Sequence, residues 1–206
     1  MKFFNSLWFK CIACLLLIAI VSSALLSVLS DVWYVSSEER TSRAIKKIYG
    51  EIVDYSIVLD TDRKIDGSDE YFSAIEYDGI GKIDKIYDIG GNLLFYSTGY
   101  KGYKNGTVSI WVNAKMTDSG YAIDKIVLGG SEKQTLMSKL TADYYNGFIT
   151  EDVEILYLED KYFSAKAGEV NANPVSGATY SATAGANAVN CVIKYIGEKN
   201  KQGGDK

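Results

Sequence analysis

The arrangement of apolar and polar positions divides the chain into one long apolar run and a series of shorter, patterned segments. From Cys11 to Ser30 no charge interrupts "CIACLLLIAIVSSALLSVLS". At 1.5 Å rise per residue, about 20 residues span a hydrocarbon core of roughly 30 Å. The run therefore predicts a transmembrane helix over 11–30. Lys2 and Lys10 precede it, while Asp31, Glu38 and Glu39 follow. That asymmetry places residues 1–10 in the cytoplasm and everything after Ser30 on the extracytoplasmic face, as a single-pass protein of the cytoplasmic membrane. The alternative is a cleaved signal peptide ending near Ser27-Val28-Leu29-Ser30. Both readings put the remainder outside.

Beyond the run, the period changes repeatedly. Ala44, Ile45, Ile48 and Ile52 recur at helical spacing and predict a helix over Glu38 to Asp54. With the polar loop Arg63 to Glu70, it makes 31–70 a juxtamembrane helix and loop. Tyr71 to Tyr77, Lys82 to Ile89 and Leu93 to Ser97 read as strands. Asn105-Gly106 is a hairpin signal. Val108, Ile110 and Val112 then alternate with Ser109, Trp111 and Asn113, as a half-buried strand does. Ala122 to Leu128 continues this antiparallel meander. Leu136, Leu140, Tyr144 and Phe148 fall four apart and predict an amphipathic helix over Ser131 to Phe148. Glu154 to Tyr157 reads as a short strand. Ala188, Val189, Val192 and Ile196 line one face of a last helix, Ala184 to Ile196, with Gly197 as its C-cap. The expected fold class is α+β: an antiparallel sheet with flanking helices over 71–197, after one N-terminal transmembrane helix, with a polar tail at 198–206.

Composition narrows the chemistry. The 206 residues contain 0 His, which removes Ser-His-Asp and Cys-His catalysis and the common His metal sites. The net charge of -4 and the lack of a long basic run argue against nucleic acid as a partner. Cys11 and Cys14 form a CxxC inside the apolar run and read as small embedded residues. Cys191 falls on the apolar side of the last helix and reads as buried. No catalytic residue and no metal ligand is assigned.

One stretch stands apart. "NPVSGATYSATAGANAVN", Asn173 to Asn190, is small, polar and uncharged, and feeds directly into the last helix. Within it Ser176, Gly177, Ala178 and Thr179 lie at a helix start, where unpaired N–H groups and the positive end of the dipole favour an anion. Gly177 and Ala178 let a phosphate approach the backbone, and Ser176, Thr179 and Ser181 add hydroxyls. The plainer reading is a helix N-cap in a Ser/Thr-rich turn.

"VSGATYSA" followed by a C-terminal helix resembles the FMN-binding domain family. That family includes the singly anchored, flavin-carrying subunit of Rnf electron-transport complexes and its longer counterpart in sodium-translocating NADH:quinone reductases. The resemblance implies that Thr179 carries FMN through a phosphoester bond, installed by a flavin transferase with FAD as donor. Ser176, Gly177, Ala178, Tyr180 and Ser181 would surround the cofactor. Where the family usually has an Asp three residues before the first Ser/Thr of the motif, this chain has Asn173. Where many members carry Glu-Thr-Pro-Gly-Leu-Gly, it has "GGSEKQTLMSKL", in which Glu132, Thr135 and Leu136 are the matching residues and Pro-Gly is missing.

The function implied is a membrane-anchored flavoprotein subunit that relays electrons within an Rnf-like, redox-driven ion-translocating complex. Its partners would be the other membrane subunits and the flavin transferase. It would be an electron-transfer subunit rather than an autonomous catalyst. The alternatives are a stand-alone extracytoplasmic flavinylated carrier or the corresponding quinone-reductase subunit, and, from another class, a non-redox anchored binding domain.

Overall fold

The computed structural model describes the backbone of residues 7–33 and 36–204, and the side chains of 8, 11–27, 36 and 38–201. The chain divides into two units, Met1–Arg40 and Thr41–Lys206.

The first unit contains helix α1, Leu7–Trp33, and the start of α2, Ser37–Tyr49. The expected transmembrane helix over 11–30 is corrected here: among the described residues, no helix is long and apolar enough to cross a membrane. Ser22, Ser23 and Ser27 dilute the apolar run, and the Ser23 hydroxyl turns back to donate to the Ile20 carbonyl at 3.0 Å. Positions 28–30 of the expected span, Lys2 and Lys10 of the cytoplasmic segment 1–10, and the last residues of the tail 198–206 lie outside the described side chains.

The second unit is built on a six-stranded, wholly antiparallel sheet. Its strands are β1 (Ser56–Asp60), β2 (Ile75–Tyr77), β3 (Gly81–Ile89), β4 (Asn92–Gly99), β5 (Thr107–Thr117) and β6 (Gly120–Glu132). The order is β1-β3-β4-β5-β6, and β2 pairs with β3 beside β1. A polar and apolar alternation would be expected if one face met water. Instead "LLFY" in β4 is nearly continuous, because both faces are covered. Phe95, Ile110, Val112 and Ile123 face a core closed by the C-terminal helix α5, Thr179–Gly204. Tyr87, Leu94, Trp111 and Val127 face Ala44, Ile45 and Ile48 of α2 on the other side.

Polar anchors fix this second layer. The buried Asp60 carboxylate accepts from the Tyr87 hydroxyl at 2.6 Å and pairs with Lys85 at 3.1 Å. Thr41 of α2 shares a hydrogen bond of 3.2 Å with the same Tyr87 hydroxyl. Burial first, then the Asp60 carboxylate, push the Tyr87 phenol well above its ordinary value, so it remains a donor. Lys125 donates to the Ile48 carbonyl at the end of α2, where a cation also suits the helix dipole.

Several element predictions change. The helix expected over Ser131 to Phe148 is replaced by the end of β6, a single 3-10 turn at Met137–Lys139 and the short helix α3, Ala142–Asn146. Leu140, Tyr144 and Phe148 are buried as their spacing suggests, while Leu136 is exposed. The strand expected at Glu154 to Tyr157 is helix α4, Val153–Leu158, capped by the Asp152 carboxylate, which accepts from the Ile155 N–H. β1 emerges from a stretch without a clear period. Gly197 does not end α5. It admits the Tyr157 ring, since a Cβ there would lie 2.1 Å from Tyr157 Cγ.

Candidate functional site

The small residues of "SATAGANAVN" have a packing cause. Ala182, Ala184, Ala186 and Ala188 are all buried, so α5 lies very close to the sheet. A Cβ on Gly99 of β4 would lie 1.9 Å from the Ala184 carbonyl oxygen, and one on Gly81 would lie 3.1 Å from Cys191 Sγ. Cys191 is buried and free, and burial pushes its thiol up to about 12. The tight seat fixes where α5 begins, and with it the SGAT segment.

Val175 to Ala178 form a turn closed by the Ala178 N–H donating to the Val175 carbonyl at 3.0 Å. Gly177 takes φ +72°, the left-handed conformation that the third position of a type II turn requires. Lys139 comes from the 3-10 turn after β6. Its ammonium donates to the Ser176 carbonyl at 3.2 Å. A Cβ at 177 would stand 2.6 Å from that same nitrogen, so the glycine also makes room for the cation.

Among the described residues, no carboxylate pairs with Lys139, and the hydroxyls of Ser176 and Thr179 make no hydrogen bond. Thr179 is exposed and is the first residue of α5, where N–H groups lack intrahelical acceptors. Ala178 is buried under the turn. Tyr180 is 64 % exposed.

Ser181 turns inward instead. It is buried, and its hydroxyl donates to Gln134 Oε1 at 2.8 Å. The same Gln134 oxygen accepts from the Tyr103 N–H at 3.2 Å, and Gln134 Nε2 donates to the Glu132 carbonyl at 3.0 Å. The region matched to the family's Glu-Thr-Pro-Gly-Leu-Gly loop does adjoin SGAT. The side chains that reach across are Gln134 and Lys139, rather than Glu132, Thr135 or Leu136. Neither was singled out from the sequence. Both are ordinary polar residues in a polar stretch, and only the end of β6 brings them to α5.

Asn173 also has a defined partner. Its side-chain amide donates to the Tyr144 carbonyl at 2.7 Å and packs against Gly147. The Tyr144 hydroxyl in turn donates to the Ala182 carbonyl at 2.7 Å, and burial keeps that phenol protonated by raising it well above its ordinary value. An Asp at 173 would place a carboxylate oxygen against a carbonyl oxygen. Asn173→Asp is therefore expected to cost about 1–3 kcal/mol, the range for a lost hydrogen bond with its acceptor left unsatisfied. Urea unfolding of the two chains measures it. Equal stability at neutral pH would contradict the assignment.

No family model, no curated protein and no solved structure matches the chain.

Proposed function

We propose that the chain is a flavoprotein of the FMN-binding domain type, holding FMN as a phosphoester on Thr179 and relaying electrons within an Rnf-like redox complex. Its partners would be the other subunits of that complex and a flavin transferase. The observation that carries the reading is one juxtaposition. Among the described residues, an exposed Thr179 hydroxyl without a partner begins α5, next to a turn against which Lys139, a cation with no carboxylate partner, is lodged. A simple N-cap would use one of these hydroxyls to accept from the first turn, and neither does so.

The residues fit a phosphate monoester or diester. Lys139 supplies counter-charge, the first turn of α5 supplies N–H groups, and Gly177 with Ala178 leaves the backbone open to approach. In attachment, the Thr179 oxygen would bond to the FMN phosphorus of FAD as the pyrophosphate bond breaks, with AMP as the leaving group and the hydroxyl proton released. FMN, when bound, supplies the electron transfer. The chain supplies tether, charge balance and orientation.

The direct test is intact mass of the full chain produced with a flavin transferase. Added mass of one FMN phosphoester supports the reading, and an unmodified chain sinks it. Lys139→Glu reverses the charge beside the turn and is expected to slow covalent loading about tenfold, equivalent to roughly 1.4 kcal/mol. Lys139→Arg should load nearly as wild type. A time course of intact masses decides, and equal rates for Lys139→Glu would remove Lys139 from the site.

A further inference from the structure

The loop between β4 and β5 is costly to build and leaves an aromatic ring outside the core. Lys101, Lys104 and Asn105 all take left-handed backbone conformations, with φ of 66°, 51° and 56°. For residues other than glycine, such conformations are unfavourable and cluster at functional sites. The loop is also keyed to one side chain. A Cβ on Gly102 would lie 2.4 Å from Gln134 Nε2, and one on Gly106 would lie 2.5 Å from it. Gln134 then accepts from the Tyr103 N–H, donates to the Tyr103 carbonyl at 3.4 Å and accepts from Ser181 in the first turn of α5. The consequence is positional: the Tyr103 ring stands 6.4 Å from the Tyr180 ring, tilted by 60°. Tyr103 is 40 % exposed and belongs to neither hydrophobic core. Burial does not explain why it is held there.

We infer that Tyr103 and Tyr180 form the seat of the isoalloxazine ring of an FMN held on Thr179, and that Gln134 is the positioning residue that keeps the two rings in register with it. The inference rests on the function proposed above. Tyr180 adjoins Thr179 in the chain, and Tyr103 faces Tyr180 from a different element. A planar, electron-poor ring tethered at Thr179 would meet two electron-rich phenol rings close to its anchor, and offset or tilted stacking is the favoured geometry. Lys104, whose ammonium lies 5.4 Å from the Tyr103 ring centroid, adds positive charge at the rim of the seat.

A phenol stacked on flavin quenches its fluorescence by electron transfer, so the seat has a readout separate from attachment. The full chain is produced with a flavin transferase, occupancy is counted by intact mass, and fluorescence is expressed per covalent flavin. Wild type should be strongly quenched relative to free FMN. Tyr103→Leu and Gln134→Ala should each raise fluorescence per covalent flavin several-fold, whatever the occupancy reached, and Tyr103→Trp should restore the quenching. Unchanged fluorescence per flavin in both Tyr103→Leu and Tyr180→Leu overturns the seat while leaving attachment intact. A wild-type chain without added mass overturns the proposed function and the seat together. If Tyr103→Leu fails to fold, Tyr180→Leu, on the exposed side of α5, carries the same decision.

Discussion

Thr179→Ala is expected to abolish covalent flavin completely, while the protein remains folded. The hydroxyl lost is exposed and makes no hydrogen bond among the described residues. Alanine is the better helix former at that place. The change in stability should stay within about 0.5 kcal/mol, as for surface substitutions away from special features. Loss of the flavin could not then be attributed to unfolding. The comparison is made by intact mass and by fluorescence of denatured protein, after both chains are produced with the transferase. Thr179→Ser retains an oxygen at the same place and should still load, at a reduced rate. A flavin that survives denaturation in Thr179→Ala would move the attachment elsewhere. Ser176 would be the first residue to examine, because its hydroxyl is exposed in the same turn.

The contrast between Thr179 and its neighbours shows what a sequence can and cannot reveal here. A turn before a helix was legible from Gly177 and the period of Ala188, Val189 and Val192, since both signals are local. The meander was legible from β3 to β6, where strands follow one another and pair with their neighbours. Two things were not. The stretch from Ser131 to Phe148 keeps helical spacing at Leu140, Tyr144 and Phe148 because these three reach the same core. The pairing of β6 with β5 as far as Glu132 nevertheless holds the first residues in a strand. Tertiary pairing overrides the local period there. The contacts that define the candidate site, Lys139 with Ser176 and Gln134 with Ser181 and Tyr103, span more than thirty residues each. No local pattern records such pairs. The same limit applies to β1, whose Asp60 looks like a loop residue in sequence. It is buried because Tyr87, Lys85 and Arg63 converge on it.

Gly99→Ala should be the most damaging single methyl group added to this fold, with an expected loss of about 3 kcal/mol, the upper part of the usual range for overpacking. The added Cβ would meet the Ala184 carbonyl oxygen at 1.9 Å and the Ala188 nitrogen at 2.5 Å, both backbone atoms of α5. Neither can rotate away, so the helix must shift from the sheet, opening the small-residue seam of Ala184 and Ala188. Gly90→Ala is the control. Gly90 has φ +62° with nothing within 4 Å of its Cβ position, so it reports backbone strain alone, about 1 kcal/mol. Urea unfolding of the three chains separates the terms, and a Gly99→Ala loss no larger than that of Gly90→Ala would refute the close seat. The seat also bears on function. Ser181 reaches Gln134 only because α5 starts where the sheet places it. Ser181 lies less than one helical turn from Ala184, so a helix displaced at Ala184 carries Ser181 with it. Gly99→Ala should therefore lower flavin loading at Thr179 even under conditions where the chain is fully folded, whereas Gly90→Ala should not.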